Sequence, residues 1–426
     1  MISPVVGFVG MTHLGLVSGV AASEKGFQVV CFDPDADRIA RLGRGDLPVN
    51  EPQLDMLFIS NAQRLTFSSD PATLAMCDVV YVAPDVATDD AGDSDLTQIT
   101  TLLKLAFQAA RPDAVIVVLS QVPPGFTRSI QLADRAIYYQ VETLVFGNGV
   151  ERALHPERYI VGCANPSAPL PKAYATFLAA HSCPVLPMQF ESAELAKISI
   201  NMCLVASVNV ANTLAELCEN IGANWAEIVP ALKLDRRIGA HAYLTPGLGI
   251  AGGNLERDLA TVCKLADHHG TDAGVVHAWM VNSKHRKNWP WRILQTLLLN
   301  QNSDAHIGVL GLAYKADTHS TKNSPALELL SHLKDHSVRV YDPVVAHPFL
   351  NSNIAEVTSA LSAIAGADAV CVMTPWNEFK EMDIAEIART MRGNLVIDPY
   401  GVFQSIALTA YGLRHVTLGA QSASIQ

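Results

Sequence analysis

The sequence predicts an α/β protein of two doubly wound, parallel-sheet domains joined by a central helical region with one long spine helix. Three observations carry that expectation. Strand-like apolar runs alternate with helix-length segments over residues 4–165 and again over 306–426, the pattern of repeated βαβ units. The first run leads through a glycine turn into a helical pattern and then into a second strand that ends in an acid, which makes the domain Rossmann-like. Between the two alternations, ESAELAKISINMCLVASVNVANTLAELCENIG runs about thirty residues without a proline and reads as a single helix.

In chain order, the first alternation consists of Val5–Val9, Gln28–Phe32, Val79–Ala83 and Ala114–Leu119, the last passing into QVPPG. The segment from about Ser192 to Asn300 reads as largely helical. The second alternation consists of His306–Gly311, Val338–Tyr341, Asp368–Met373 and Asn394–Ile397, so the two outer domains are candidates for structural echoes of each other. A chain of 426 residues exceeds the length at which one hydrophobic core stops growing, about 250–300 residues. The expected division is 1–190, 191–301 and 302–426.

Composition narrows the function classes. No uninterrupted apolar run approaches the ~18 residues of a membrane-spanning helix, so no membrane span is expected. The opening MISPVVGFVG lacks a basic stretch before its apolar run, so the expectation is a cytoplasmic protein without a secretory signal. Cysteines 31, 77, 163, 183, 203, 218, 263 and 371 are scattered, which suits reduced thiols and predicts no metal centre. A net charge of −11 would repel a phosphate backbone, so no nucleic-acid partner is expected. The one basic cluster, KHRKNWPWR at 284–292, reads as a helix surface or a subunit contact.

The segment VGFVGMTHLGLVSGVAASEKGFQVVCFDPD holds the first chemical motif. Gly10 makes the tight turn, the following helix N-terminus faces a pyrophosphate, and Asp33, eighteen residues after Gly15, is placed to hold a ribose 2′-hydroxyl. An acid at that place predicts NAD over NADP. Thr12 stands where a middle glycine is expected, so its side chain should lie near the pyrophosphate.

Further strings occur in order along the chain: PPG at 123–125, AELAKISIN at 193–201, DRRIG at 235–239, PGLGIAGGNLERD at 246–258, GLAYKADT at 311–318, VYDP at 340–343 and TPWNEF at 374–379. Together with the nucleotide motif they resemble the UDP-glucose/GDP-mannose dehydrogenase family over essentially the whole chain. The resemblance implies an N-terminal NAD domain, a central dimerisation region, a C-terminal domain for the nucleotide of a UDP- or GDP-linked sugar, and a homodimer. It implies cofactor contacts from Gly10, Thr12, His13, Leu14, Gly15, Asp33, Arg38, Pro84 and Gln121. It implies substrate contacts from Arg237, Tyr243, Gly249, Lys315 and Lys322, with Arg237 reaching across the dimer.

Members of that family oxidise a sugar C6 twice, alcohol to aldehyde and aldehyde to acid, the second step passing through a cysteine thioester. In this sequence the cysteine position is Asn254, and an amide is not a nucleophile at neutral pH. Gln121 replaces a threonine and Phe146 a glutamate that assist the hydrolytic half, whereas Glu142 remains. In the C-terminal domain Lys322 replaces an arginine, and VIDPYG at 396–401 lacks another. The positions of the first oxidation remain: Lys197 and Asn201, one helical turn apart, and Asp258. The resemblance gives them proton abstraction and oxyanion stabilisation. The expected reaction is a two-electron oxidation to a carbonyl, with Asn254 as a substrate hydrogen-bonding group or a space-filler. Two alternatives stay open: a redox-neutral epimerase or dehydratase that recycles tightly held NAD, and a non-catalytic sugar-nucleotide-binding subunit.

Overall fold

The computed structural model describes residues 3–87, 89, 93–130, 135–346 and 353–421. They form two compact units, Met1–Ile200 and Asn201–Gln426. Unit 1 is built on an eight-stranded sheet: β1 (Val6–Val9), β2 (Val29–Phe32), β3 (Leu65–Ser68), β4 (Val79–Val82), β5 (Val115–Val118), β6 (Ile137–Gln140), β7 (Tyr159–Cys163) and β8 (Val185–Gln189). Their spatial order is β3-β2-β1-β4-β5-β6-β7-β8, and β6 with β7 is the one antiparallel neighbour pair. Every residue of β1, β2, β4 and β5 is buried, as expected of parallel strands covered by helices on both faces.

The order reverses direction between β1 and β4, and that switch point opens a crevice at the carboxyl ends of the strands. The first helix, His13–Glu24, starts there, and nine of its twelve residues are buried. An outer ring of charge is therefore missing from this helix. It packs between sheet and neighbouring helix, and only its N-terminus faces the crevice.

Unit 2 carries a six-stranded, all-parallel sheet: β9 (His306–Leu310), β10 (Ser337–Tyr341), β11 (Ile354–Glu356), β12 (Ala369–Val372), β13 (Leu395–Ile397) and β14 (Arg414–Val416). The order β11-β10-β9-β12-β13-β14 repeats the winding of unit 1. The repetition extends to single bonds. Gly10 (φ +96°) donates to Phe32 O and Met11 N to Asp33 Oδ2; Gly311 (φ +96°) donates to Tyr341 O and Leu312 N to Asp342 Oδ2. The two outer sheets are structural echoes in this detailed sense.

The spine helix is a single element, Phe190–Ile221, of 32 residues. By length and composition it is the one helix among the described residues that is apolar enough to cross a membrane, but about a third of its most apolar window is buried within the protein. Near its end it bears Glu216 and Glu219. The basic stretch 284–292 is a helix surface only in part: Lys284 and His285 are exposed, whereas Arg286 and Trp289 are not. Arg286 is fully buried, with Nη1 2.9 Å from Glu216 Oε2, and Trp289 is 2% exposed and donates from Nε1 to Glu219 at 2.8 Å. A buried guanidinium needs carboxylate partners, and two glutamates one turn apart on the spine supply them.

Candidate active site

The cofactor end is built from the turn after β1. A Cβ at Gly10 would lie 2.9 Å from Pro84 N, and one at Gly15 would lie 2.0 Å from Gly10 O, so both positions admit only glycine. Asp33, at the carboxyl end of β2, is 1% exposed. Its Oδ2 accepts from Met11 N at 2.7 Å and pairs with Arg38 Nη1 at 2.7 Å, while Oδ1 accepts from Asp35 N at 3.0 Å. The glycine cradle, the helix N-terminus and this buried acid fit the pyrophosphate and adenosine ribose of NAD.

The other residues expected at this end are placed differently from one another. Leu14 is 5% exposed in the core, so only its backbone faces the turn. Pro84 is buried, and its carbonyl accepts from Ser120 Oγ at 2.5 Å. Thr12 turns its hydroxyl toward the loop after β4, where Oγ1 accepts from Asp85 N at 2.8 Å. The Asp85 carboxylate in turn accepts from His13 N at 2.9 Å, the first free amide of the helix. Asp85 was not foreseen: nothing in a lone acid after Pro84 signals a partner 72 residues away.

The His13 imidazole leaves the crevice. Its Nε2 lies 2.8 Å from Glu51 Oε1, and its ring centroid lies 4.2 Å from that of Phe146. Four residues before Phe146, Glu142 pairs with Lys197 at 2.5 Å, and Lys197 Nζ also donates to the Glu142 carbonyl at 3.1 Å. Both side chains are about one-seventh exposed. One turn earlier on the spine, the buried Glu194 accepts from Gly125 N at 2.6 Å and Thr127 N at 2.8 Å, fastening the PPG turn that follows Gln121. Burial pushes the Glu194 carboxyl up, against the bonds to Thr127 and Gly125.

In unit 2, Asn201 donates from Nδ2 to Asp258 Oδ2 at 2.5 Å, and Arg257 Nε lies 3.3 Å from Asp258 Oδ1. Asp258 is 1% exposed, whereas Asn254 is exposed in the first turn of the helix Asn254–His269. The loop after β9 packs on that helix start. Gly252 N donates to Lys322 O at 3.0 Å, a Cβ at Gly252 would lie 3.1 Å from the Tyr314 ring, and the Lys322 side chain runs past Gly253. Lys315 Nζ sits 5.9 Å from the Tyr314 ring centroid. The structure thus brings Asn201, Asp258, Asn254 and Lys322 into one neighbourhood.

Three residues expected to contact substrate stand elsewhere. Gly249 (φ +80°) presses on Ser283, whose carbonyl oxygen would be 2.4 Å from an added Cβ, so packing alone requires the glycine. Arg237, 89% exposed at its side chain, forks onto its neighbour Asp235 at 3.0 and 2.6 Å, and Tyr243 is 58% exposed. Cys263, the next cysteine after Asn254, is buried with Sγ 4.0 Å from His277 Nδ1, and burial raises its thiol. Nine residues of helix put it roughly 13 Å along the axis from Asn254.

The glycine cradle, the helix N-terminus and the buried acid at the end of β2 make unit 1 a dinucleotide-binding domain. Sequence profiles of the UDP-glucose/GDP-mannose dehydrogenase family match its NAD binding domain to residues 5–177, its central domain to 191–284 and its UDP binding domain to 308–405. The UDP-glucose 6-dehydrogenase of Rickettsia bellii is 29% identical over 431 residues, covering 97% of this chain and 99% of that protein. That of Bacillus subtilis is 28% identical over 434 residues, covering 97% and 93%. The UDP-D-ManNAc dehydrogenase structure from Pyrococcus horikoshii superposes with a TM-score of 0.82 at 21% identity, covering 97% and 99%, a likeness of fold. The chain belongs to the UDP-glucose/GDP-mannose dehydrogenase family.

Proposed function

We propose that the chain oxidises one hydroxyl of a UDP- or GDP-linked sugar to a carbonyl and does not carry the product on to an acid. One observation carries the reading: the Lys197–Glu142 and Asn201–Asp258 pairs are formed, whereas the exposed Asn254 offers no thiol and Cys263 lies too far along its helix to replace one. NAD, when bound at the β1 turn, supplies the acceptor for the hydride. Lys197 and Glu142, 2.5 Å apart, share the proton that leaves the hydroxyl as the C–O bond becomes C=O. Asp258 fixes the Asn201 amide, whose second N–H remains to hold the developing oxyanion. Without a nucleophile at position 254 no thioester forms, and the carbonyl is the end point. A secondary alcohol on a sugar longer than a hexose suits that outcome, because a ketone has no further oxidation to undergo.

The proposal assigns residues 1–190 to NAD, 191–301 to dimerisation and 302–426 to the nucleotide of the sugar. Support for a homodimer comes from the spine: Val210, Leu214, Leu217 and Ile221 recur at helical spacing, each at least 40% exposed, beside Val281 at 70%. A contiguous apolar stripe of this kind fits a second copy of the same helix. Eight free cysteines fit the cytoplasm.

The test incubates the protein with NAD and a panel of UDP- and GDP-sugars, following NADH absorbance and product mass. Expected is stoichiometric NADH and a product lighter by two hydrogens. A carboxylate product overturns the reading of Asn254. An isomer of unchanged mass without NADH assigns epimerisation instead, loss of water assigns a dehydratase, and binding without turnover across the panel assigns a non-catalytic subunit. Lys197→Ala should abolish turnover and leave NAD binding intact; retained turnover removes Lys197 from the chemistry.

A further inference from the structure

Glu51 belongs to none of the contacts discussed so far as catalytic, yet its side chain is fully buried and completely engaged. Its Oε1 takes the His13 Nε2 contact at 2.8 Å and accepts from Gly147 N at 3.0 Å; its Oε2 accepts from Gly149 N at 2.9 Å. A buried carboxylate is tolerated only with donors on both oxygens, and these three come from two separated pieces of chain. His13 opens the helix whose N-terminus forms the cofactor turn. Gly147 and Gly149 end the loop that starts at Glu142. A Cβ at Gly149 would lie 3.2 Å from the Glu51 carboxyl carbon, a tight contact that would press on the carboxylate.

The loop from Glu142 to Gly149 is fastened at its end by Glu51. A cavity of about 40 Å³ adjoins it, lined in part by Gln140, Glu142, Leu144, Arg152 and His181, and Arg152 Nε donates to the Thr143 carbonyl at 2.5 Å. Leu144 N donates to Glu142 Oε2 at 2.9 Å, which carries the loop's position into the carboxyl that pairs with Lys197. The His13 ring also packs, tilted by 31°, against the Phe146 ring in the loop.

We propose that Glu51 is a positioning residue that links the cofactor turn, through His13, to the loop presenting Glu142, so that NAD bound at the turn fixes the Glu142–Lys197 pair. The proposal rests on the reading of Glu142 and Lys197 as the proton-transfer pair. The helix N-terminus would hold the diphosphate of NAD, and the first helical turn, with the His13 imidazole, would thereby be restrained. Glu51 then transmits that restriction to the Gly147 and Gly149 amides. Coupling of this kind needs no change of shape, only loss of motion at both ends.

The test is amide hydrogen exchange on the full chain, with and without NAD. In the unaltered protein NAD should slow exchange of amides 143–149 by about fivefold or more. Glu51→Gln keeps the shape but turns an NH2 toward one of the three donors. That variant should lose the NAD-dependent protection, while its NAD affinity changes by less than about threefold, a factor below the ~1.4 kcal/mol of a tenfold change. If Glu51→Gln does not fold, Gly149→Ala, which crowds the carboxylate, replaces it. Protection by NAD that persists in the variant overturns the proposal, as does unchanged loop exchange accompanied by a more than tenfold loss of NAD affinity, because Glu51 would then serve the turn alone. The two readings separate cleanly. Turnover retained in Lys197→Ala defeats the catalytic assignment while leaving the exchange coupling standing, and coupling absent with Lys197→Ala inactive defeats the role of Glu51 alone.

Discussion

Replacing Asp85 with Asn should tighten NAD binding. The Asp85 carboxylate accepts the His13 amide at 2.9 Å, the bond that a diphosphate oxygen needs at a helix N-terminus. A diphosphate held by that amide would compete with the carboxylate for it, and two like unit charges about 4 Å apart interact by roughly 1 kcal/mol in water. Asp85 is exposed, and screening at physiological salt lowers the gain to about 0.5 kcal/mol, or a dissociation constant lowered roughly twofold. The assay is calorimetric titration of NAD at low and high salt. The advantage of Asp85→Asn should shrink as salt rises, because it is electrostatic. Weaker binding in the variant, or an equal gain at both salts, refutes the reasoning and makes Asp85 a contact of the cofactor.

Three other outcomes are expected. Arg286→Met should destabilise unit 2 by about 3 kcal/mol in denaturant titration, the low end for breaking a buried ion pair, because Glu216 keeps His285 and Arg292 at 2.9 and 2.7 Å; a loss under about 1 kcal/mol shows that the pair is replaceable. Although burial opposes it, Glu216 is held below its ordinary value by His285 and Arg286, so its contribution is complete above the unfolded carboxylate pKa of 4.5 and fades as pH falls through the lower folded value; acid titration of the Arg286→Met variant should show less of that fading than the unaltered chain. Asn254→Cys should not by itself yield an acid, as Gln121 and Phe146 remain in place, and mass analysis of the product decides it; a carboxylate would mean that the thiol was the only missing part.

The legible part of the fold was the part buried on both faces. β1, β2, β4 and β5 are continuous apolar runs with every residue buried, so their sequence pattern and their environment coincide. β3, LTFS, has no buried residue, and β14, RHV, has one; neither announces itself by composition. In the site, residues tied to backbone chemistry, such as Gly10, Gly15 and Asp33, were readable because the motif states the geometry they serve. Glu51, Asp85 and Glu194 were not, since each acts on amides at least 67 residues away in sequence. Within the basic stretch at 284–292, the burial of Arg286 was unreadable for the same reason, since its partners are spine glutamates some seventy residues upstream.

The distribution of what is kept bears on chemistry rather than stability. Asp258 is 1% exposed and Lys197 largely buried, and placing such charges away from water costs several kcal/mol per ion before any pairing. Well-packed apolar side chains would hold these helices together at least as firmly. A chain under selection for binding alone has no reason to retain both pairs, whereas proton abstraction from a hydroxyl needs a base and an oriented amide at once. The thiol position is different in kind. Asn254 sits exposed at a helix start, where exchange of side chain leaves packing untouched, so its identity was free to follow the reaction. Costly charges at Lys197 and Asp258, with a cheaply exchanged side chain at position 254, are what the proposed oxidation to a carbonyl without acyl transfer requires.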